Sequence, residues 1–348
     1  MQALLIEQPG QVRLGTAVAP EAGPTDVLLR IRTVGFCGSD LNTYRGLNPL
    51  VSYPRVPGHE IAAEVAFIGA DVPRGALEVG MPVTVYPYTA CGHCAACRRG
   101  RPNACRDNQT LGVQRDGALT EFVVVPWQKV VAADGLTLRQ LALVEPLSVG
   151  FHAVDRGRVA ADDVVVVIGC GAVGLGAVAG AHARGARVIA VDVDDAKLTL
   201  ATLAGAREVV NTPAAALRDR VYALTNGDGA DVVIEAVGLA DTFVAAVDAA
   251  AFTGRVVYIG YTKGVVAYDT SLFVKKELDI LGSRNATPND FRAVCDMLRA
   301  GNFPTDAAVT RSVSIEGAGE ALEAWHREPH LVTRIHVVLD SLPSGNRA

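Results

Sequence analysis

Between Asp163 and Asp192 the chain runs through an unbroken apolar stretch, a glycine cluster, a small-residue stretch and a second apolar run that ends on an acid. Val164-Val165-Val166-Val167-Ile168 is β-branched throughout. Such a run suits a strand buried on both faces of a parallel sheet, where neither face needs polar residues. Gly169-Cys170-Gly171-Ala172-Val173-Gly174 follows at once, then an Ala/Gly-rich helix to about Arg184, then a strand from Arg187 to Val191 that ends at Asp192. A glycine triplet alone says little. In the order strand, glycines, helix, strand, acid it is the fingerprint of a dinucleotide-binding βαβ unit. Gly169, Gly171 and Gly174 permit the tight turn and bring a pyrophosphate close to the helix N-terminus. Asp192 is placed to bond both ribose hydroxyls of NAD and to repel the 2′-phosphate of NADP; a helix cap is its plainer reading. Val193, Asp194 and Asp195 follow, with no Arg, so NAD is the expected cofactor.

The alternation of apolar runs and helical stretches continues to Gly282 and predicts about six parallel strands, a complete doubly wound sheet. At 348 residues the chain exceeds one ordinary core, and two domains are expected. Residues 1–35 and 61–126 carry short apolar runs broken by turns, as an antiparallel β unit does. The dinucleotide domain therefore interrupts a β-rich one.

Cys91, Cys94, Cys97 and Cys105 are spaced Cys-x2-Cys-x2-Cys-x7-Cys. Four thiolates at such intervals converge on one tetrahedral ion and leave no open position, which predicts a structural zinc. Two disulfides or free buried thiols are the alternatives. The N-terminus lacks a basic segment with a cleavage site, so a disulfide-forming compartment is not expected.

A second group of ligand-type residues is scattered: Cys37 in Gly35-Phe36-Cys37-Gly38-Ser39-Asp40, the adjacent His59 and Glu60, and Glu145 in an apolar helical stretch from Leu138 to Gly150. Each alone has a bland reading: a buried thiol, a surface pair, a helix-start acid before Pro146. Together they supply the three ligands and one open position of a catalytic zinc. Cys37 and His59 form the core pair, with Glu60 or Glu145 as the third ligand.

A net charge of −5 with no basic run argues against nucleic acid as partner. No uncharged stretch has the length and flanks of a membrane span. A cytoplasmic location is expected, and the last eight residues are expected to fray.

These motifs, with Glu145-Pro146-Leu147-Ser148-Val149-Gly150, resemble the zinc-dependent medium-chain dehydrogenases, the superfamily of alcohol and polyol dehydrogenases, nearly end to end. Residues 44–56 and 276–284 are most similar to bacterial sugar-acid dehydrogenases of the L-galactonate 5-dehydrogenase kind. The resemblance implies an α/β fold: a GroES-like catalytic domain over 1–150 and 285–348, a structural zinc lobe at about 88–107, and an inserted Rossmann domain over 151–284. It implies NAD and two zinc ions per chain, one catalytic and one structural. The activity implied is oxidation of a secondary alcohol of a sugar acid or polyol to the ketone. An L-threonine-type or simple secondary alcohol dehydrogenase is the alternative, and a non-enzymatic zinc protein the reading from another class. Where the alcohol dehydrogenase branch has a third cysteine ligand, this chain has Glu145. Ser39 takes the alcohol proton, Asp40 accepts the ring N–H of His59, and Val173 packs near the nicotinamide. Asn42 stands where many relatives place a relay histidine. Tyr44, Arg45 and Arg284 are the implied substrate contacts. A homodimer or homotetramer is implied, pairing through the strand near 256–260 or the outermost strand of the sheet.

Overall fold

The computed structural model describes residues 1–262 and 264–339; the last eight residues, expected to fray, lie outside them. The chain divides into two compact units, Met1–Glu145 with Ala308–Ala348, and Pro146–Ala307.

The first unit is built on a seven-stranded sheet whose main path runs Arg311–Ser314, Ile335–Val338, Asp26–Phe36, Glu60–Ile68, Pro82–Val85, Val130–Ala132, with Phe122–Pro126 also paired to Asp26–Phe36. In the long central strand Val27, Leu29 and Ile31 alternate inward, the period-two signature of a half-buried strand. They join Leu4, Ile6, Phe36, Ile61 and Leu119 in one apolar core. Antiparallel register sets Gly35 opposite both Glu60 and His336. Directly opposed residues share a face, so these three form one row across the sheet.

The second unit holds a six-stranded parallel sheet, ordered Glu208–Asn211, Arg187–Asp192, Val164–Ile168, Ala230–Glu235, Ala250–Tyr258, Asp279–Gly282. Strand order reverses beside Val164–Ile168, and such a reversal opens a crevice at the carboxyl ends of the strands. Val165, Val166 and Val167 are fully buried. The helix Ala172–Ala183 is buried along most of its length, which is why it is made of Ala, Gly and Val rather than an amphipathic sequence. Among the described residues no helix is long and apolar enough to cross a membrane.

Three expectations need correcting. The helical stretch 138–150 is two helices, Leu138–Leu141 and Val144–Arg156. Glu145 sits in the first turn of the second, where Pro146 costs no hydrogen bond. The strand near 256–260 is interior, flanked on both sides, so it has no free edge; the edge beside it is Asp279–Gly282. The segments 146–150 and 285–307, expected in the catalytic domain, belong to the second compact unit; helix Pro288–Arg299 lies in the latter. It buries Phe291, Val294, Met297 and Leu298, and Asp290 Oδ2 lies 3.0 Å from His152 Nδ1. That pairing spans 138 residues, beyond the reach of a local sequence signal.

Candidate functional site

Cys37 ends the central strand and caps the short helix Gly38–Tyr44; its backbone N–H donates to Asp40 Oδ2 at 2.8 Å. Glu60 begins the next strand and His59 immediately precedes it. Donor atoms of Cys37, His59 and Glu60 all lie within 4.8 Å of one another. The ring nitrogen Nδ1 of His59 and the Oε2 of Glu60 are buried without a hydrogen-bond partner. Buried polar atoms left unpaired are costly. A thiol, an imidazole and a carboxylate converging with unspent lone pairs suit a zinc ion, the metal that takes this mixed donor set.

The surroundings polarise these groups. Burial alone lowers the pKa of His59, but Cys37 beside it, with Glu145 and Asp40, holds it well above the usual histidine range. Burial raises Glu60 to about 7, against the pull of the Arg334 guanidinium. Arg334 Nη1 donates to Glu60 Oε1 at 2.6 Å and to the Phe36 carbonyl at 2.7 Å. Glu145, also buried, accepts from the Tyr88 hydroxyl. Arg334 and Tyr88 escaped the sequence analysis: neither belongs to a spaced motif, and both arrive from elsewhere in the chain. A lone Arg directly before the apolar strand Ile335–Val338 is the one available signal for the first.

Asp40 departs from its expected role. Its Oδ2 caps the helix, while its Oδ1 and His59 Nδ1 are both unpartnered. No hydrogen bond joins them; the helix start competes for the same carboxylate. Burial raises the Asp40 pKa. The Ser39 hydroxyl is buried and unpartnered.

In the lobe the four sulfur atoms of Cys91, Cys94, Cys97 and Cys105 also lie within 4.8 Å of one another, and none is in a disulfide. Cys94 Sγ is 3.6 Å from Cys97 Sγ and 3.9 Å from Cys105 Sγ. Tetrahedral zinc with bonds of about 2.3 Å requires sulfur separations of about 3.8 Å, so the cluster fits it. Backbone N–H groups of Arg106 and Cys97 lower the Cys94 thiol to about 6.

In the second unit a cavity of about 480 Å³ is lined by Gly169, Gly171, Asp192, Lys197, Thr212 and Val237, among others. The conformation Gly169 adopts, φ 93°, favours glycine. A Cβ on Gly174 would stand 1.8 Å from the Gly169 carbonyl, so only glycine lets the helix start so near the strand. Asp192 Oδ2 accepts from Cys170 N at 2.8 Å and Oδ1 from Val193 N at 2.8 Å. The cavity suits a dinucleotide: a glycine turn at a helix start, an acid at the next strand end. Lys197 belongs to no spaced motif and lies beyond the acids Asp192, Asp194 and Asp195.

Of the expected substrate residues, Arg45 is spent on His326: Nε donates to Nδ1 at 2.9 Å and Nη2 to its carbonyl at 3.1 Å. Tyr44 meets the same imidazole edge-on. Arg284 lies in the second unit and is exposed.

Comparison with known proteins agrees with this geometry. Residues 23–135 match the family model of the alcohol dehydrogenase GroES-like domain, and residues 172–300 that of zinc-binding dehydrogenases. The chain is 34% identical to the L-galactonate-5-dehydrogenase of Escherichia coli K12 over 323 residues, covering 93% of this chain and 94% of the relative. It is 31% identical to the sorbitol dehydrogenase of Bacillus subtilis, covering 93% of each. Among solved structures it is similar to the alcohol dehydrogenase RspB of Escherichia coli CFT073 complexed with NADH. That match has a TM-score of 0.88 at 28% identity, covering 97% of this chain and 99% of the other.

Proposed function

The chain belongs to the zinc-binding dehydrogenases with an alcohol dehydrogenase GroES-like domain, and from that membership we propose that it oxidises a secondary alcohol of a sugar acid or polyol to the ketone, with NAD as hydride acceptor. The observation that carries the reading is the convergence of Cys37, His59 and Glu60 donor atoms within 4.8 Å, in a chain that also holds a dinucleotide fingerprint. Relatives named for galactonate, sorbitol, erythritol and idonate support the substrate class.

Cys37 and His59 would hold the catalytic zinc, with Glu60 or Glu145 as third ligand. Bound there, zinc acts as a Lewis acid that lowers the pKa of a substrate hydroxyl. Gly169, Gly171, Gly174, Asp192 and Lys197 would hold NAD, with Val173 beside the nicotinamide, and the bound cofactor would supply the hydride acceptor. Ser39, two residues from Cys37 with an uncommitted hydroxyl, accepts the alcohol proton. Asn42 cannot carry a proton onward, because a neutral amide has no usable pKa, so the onward path from Ser39 would run through solvent or a ribose hydroxyl of the bound cofactor. Glu60 stays in place through Arg334, which offsets its charge. Arg284 is the proposed contact for substrate hydroxyls or a carboxylate, through its fork of N–H donors. Cys91, Cys94, Cys97 and Cys105 would hold the structural zinc. A cytoplasmic homodimer or homotetramer, using the edge strand Asp279–Gly282, completes the proposal.

The test is a panel of aldonates, polyols, L-threonine and simple alcohols with NAD, read as NADH formation. Turnover of aldonates or polyols is expected. Turnover of primary alcohols with none on polyhydroxy substrates overturns the assignment.

A further inference from the structure

The crevice at the reversal of strand order lies between the carboxyl ends of two neighbouring strands. One is Val164–Ile168, which leads into the glycine turn. The other is Ala230–Glu235, and Glu235 is paired in register with Ile168. The segment that follows Glu235 supplies Ala236, Val237, Leu239, Asp241 and Thr242 to the lining of the dinucleotide cavity. It also touches the turn itself: a Cβ on Gly169 would stand 2.6 Å from Val237 Cγ2. Val237 and Leu239 are apolar yet exposed, as the apolar walls of a ligand cavity are.

Glu235 is fully buried and is not one of the lining residues. Its Oε1 accepts from Val237 N at 2.9 Å and from Gly238 N at 2.8 Å, and Thr242 Oγ1 lies 2.8 Å from the same oxygen. The Thr242 proton is shared, since the Leu239 carbonyl is 2.9 Å from that hydroxyl. The segment has other ties at its two ends. Ala236 N donates to the Ile168 carbonyl at 2.9 Å, and Phe243 N to the Leu239 carbonyl at 3.0 Å. Between those ties, Val237 and Gly238 hang on the carboxylate. Glu235 Oε2 has no hydrogen-bond partner among the described residues. It is packed against Gly260, where a Cβ would stand 2.6 Å from Oε2 and 2.4 Å from Gly238 N. Ile259 N donates to the Glu235 carbonyl at 2.9 Å, so the side chain is wedged between two segments that leave adjacent strands. Burying a carboxyl is costly, and an apolar side chain would fill the space without that cost. What the carboxyl adds is an acceptor for the turn at Val237 and Gly238.

We propose that Glu235 is a positioning residue for the dinucleotide cofactor: its carboxylate fixes Val237 and Gly238, which keeps Val237 at the edge of the glycine turn and the crevice open. This rests on the reading of that cavity as the NAD site. Without the carboxylate, the two N–H groups lose their acceptor and the turn samples other conformations. Only part of the population then presents the open crevice, and apparent affinity falls by that fraction. The zinc donors Cys37, His59 and Glu60 lie in the other unit and are untouched.

The test uses the full-length, zinc-loaded chain and NADH, titrated by fluorescence, with the visible spectrum of protein carrying cobalt at the Cys37 site recorded in parallel. Glu235→Ala is expected to raise the Kd for NADH about 10–100-fold and to leave the cobalt spectrum unchanged. Glu235→Gln keeps one oxygen as acceptor for all three donors and sets its NH2 where Oε2 has no partner; it is expected to recover most of the loss. A merely structural role would lower the urea midpoint in both variants and leave the Kd of the folded protein alone. Gly260→Ala retains Glu235 and presses on the same carboxylate and on Gly238 from the opposite side; it is expected to weaken NADH binding as well. Should Glu235→Ala not fold, Gly260→Ala decides. An unchanged Kd in Glu235→Ala, or in Gly260→Ala where it decides, overturns the proposal, as does a loss in Glu235→Gln equal to that in Glu235→Ala. If the wild-type chain itself does not bind NADH, the reading of the cavity fails and the proposal with it.

Discussion

Arg334 and Glu60 form a buried ion pair, Nη1 to Oε1 at 2.6 Å, with side chains 5% and 0% exposed. The pair joins the residue before strand Ile335–Val338 to the first residue of strand Glu60–Ile68, and it includes one of the proposed zinc donors. Removing one member strands the other charge in a low-dielectric interior, at a cost of about 3–5 kcal/mol. Arg334→Met should lose stability of that order in urea unfolding, and Arg334→Lys markedly less. A loss below about 1 kcal/mol for the methionine variant would show that Glu60 finds another partner.

Gly35 makes room for the same carboxylate. A Cβ there would lie 2.2 Å from Glu60 Oε2. Gly35→Ala must push Glu60 aside, with an overpacking cost of about 1–3 kcal/mol. The expected kinetic result is a lowered kcat with NADH affinity unchanged, since the dinucleotide cavity belongs to the other unit. An unaltered kcat would mean that the seating of Glu60 is irrelevant to turnover.

Asp192 is expected to select NAD. Hydrogen bonds to a charged acceptor contribute about 1.5–3 kcal/mol, so Asp192→Asn should weaken NADH binding about 10–100-fold and improve NADPH binding in relative terms. The Cys170 and Val193 N–H groups bond different oxygens of Asp192, so the amide keeps an acceptor for one of them and faces the other with its NH2, a local cost that should weaken both cofactors alike. Fluorescence titration with both cofactors checks this; equal weakening for both would assign Asp192 to the fold alone.

His336 predicts a pH effect on stability. It is 1% exposed, with both ring nitrogens unpartnered among the described residues. Burial, then Arg334 and Arg139, lower its pKa from 6.5 to about 3. The unfolded chain therefore binds a proton that the folded chain refuses across that window. Stability from this group is complete above pH 6.5 and falls as pH drops toward about 3, by up to about 1.4 kcal/mol per unit. His336→Leu should flatten the stability profile in this range. An unchanged slope would assign acid sensitivity to other groups.

Local pattern made much of the architecture legible. The run Val164 to Ile168 with its glycines and Asp192 could hardly fold otherwise: strand burial, turn and helix start are each dictated by residues a few positions apart. The four cysteines are equally local, because their spacing limits how far the sulfurs can separate. That helix Pro288–Arg299 belongs to the second unit shows in no local pattern, since its attachment runs through the distant His152.

Sequence by itself determined which residue types are available as donors: Cys37, His59, Glu60 and Glu145 stand out because thiol, imidazole and buried carboxylate have few inexpensive fates in an apolar setting. Only the tertiary structure decided who attends them. Arg334 reaches Glu60 across 274 residues of chain and Tyr88 reaches Glu145 across 57, while Asp40 gives its carboxylate to its own helix rather than to His59. Those outcomes depend on strand register and on competition between nearby donors. Both are set when the sheet assembles, and neither leaves a trace in residue spacing.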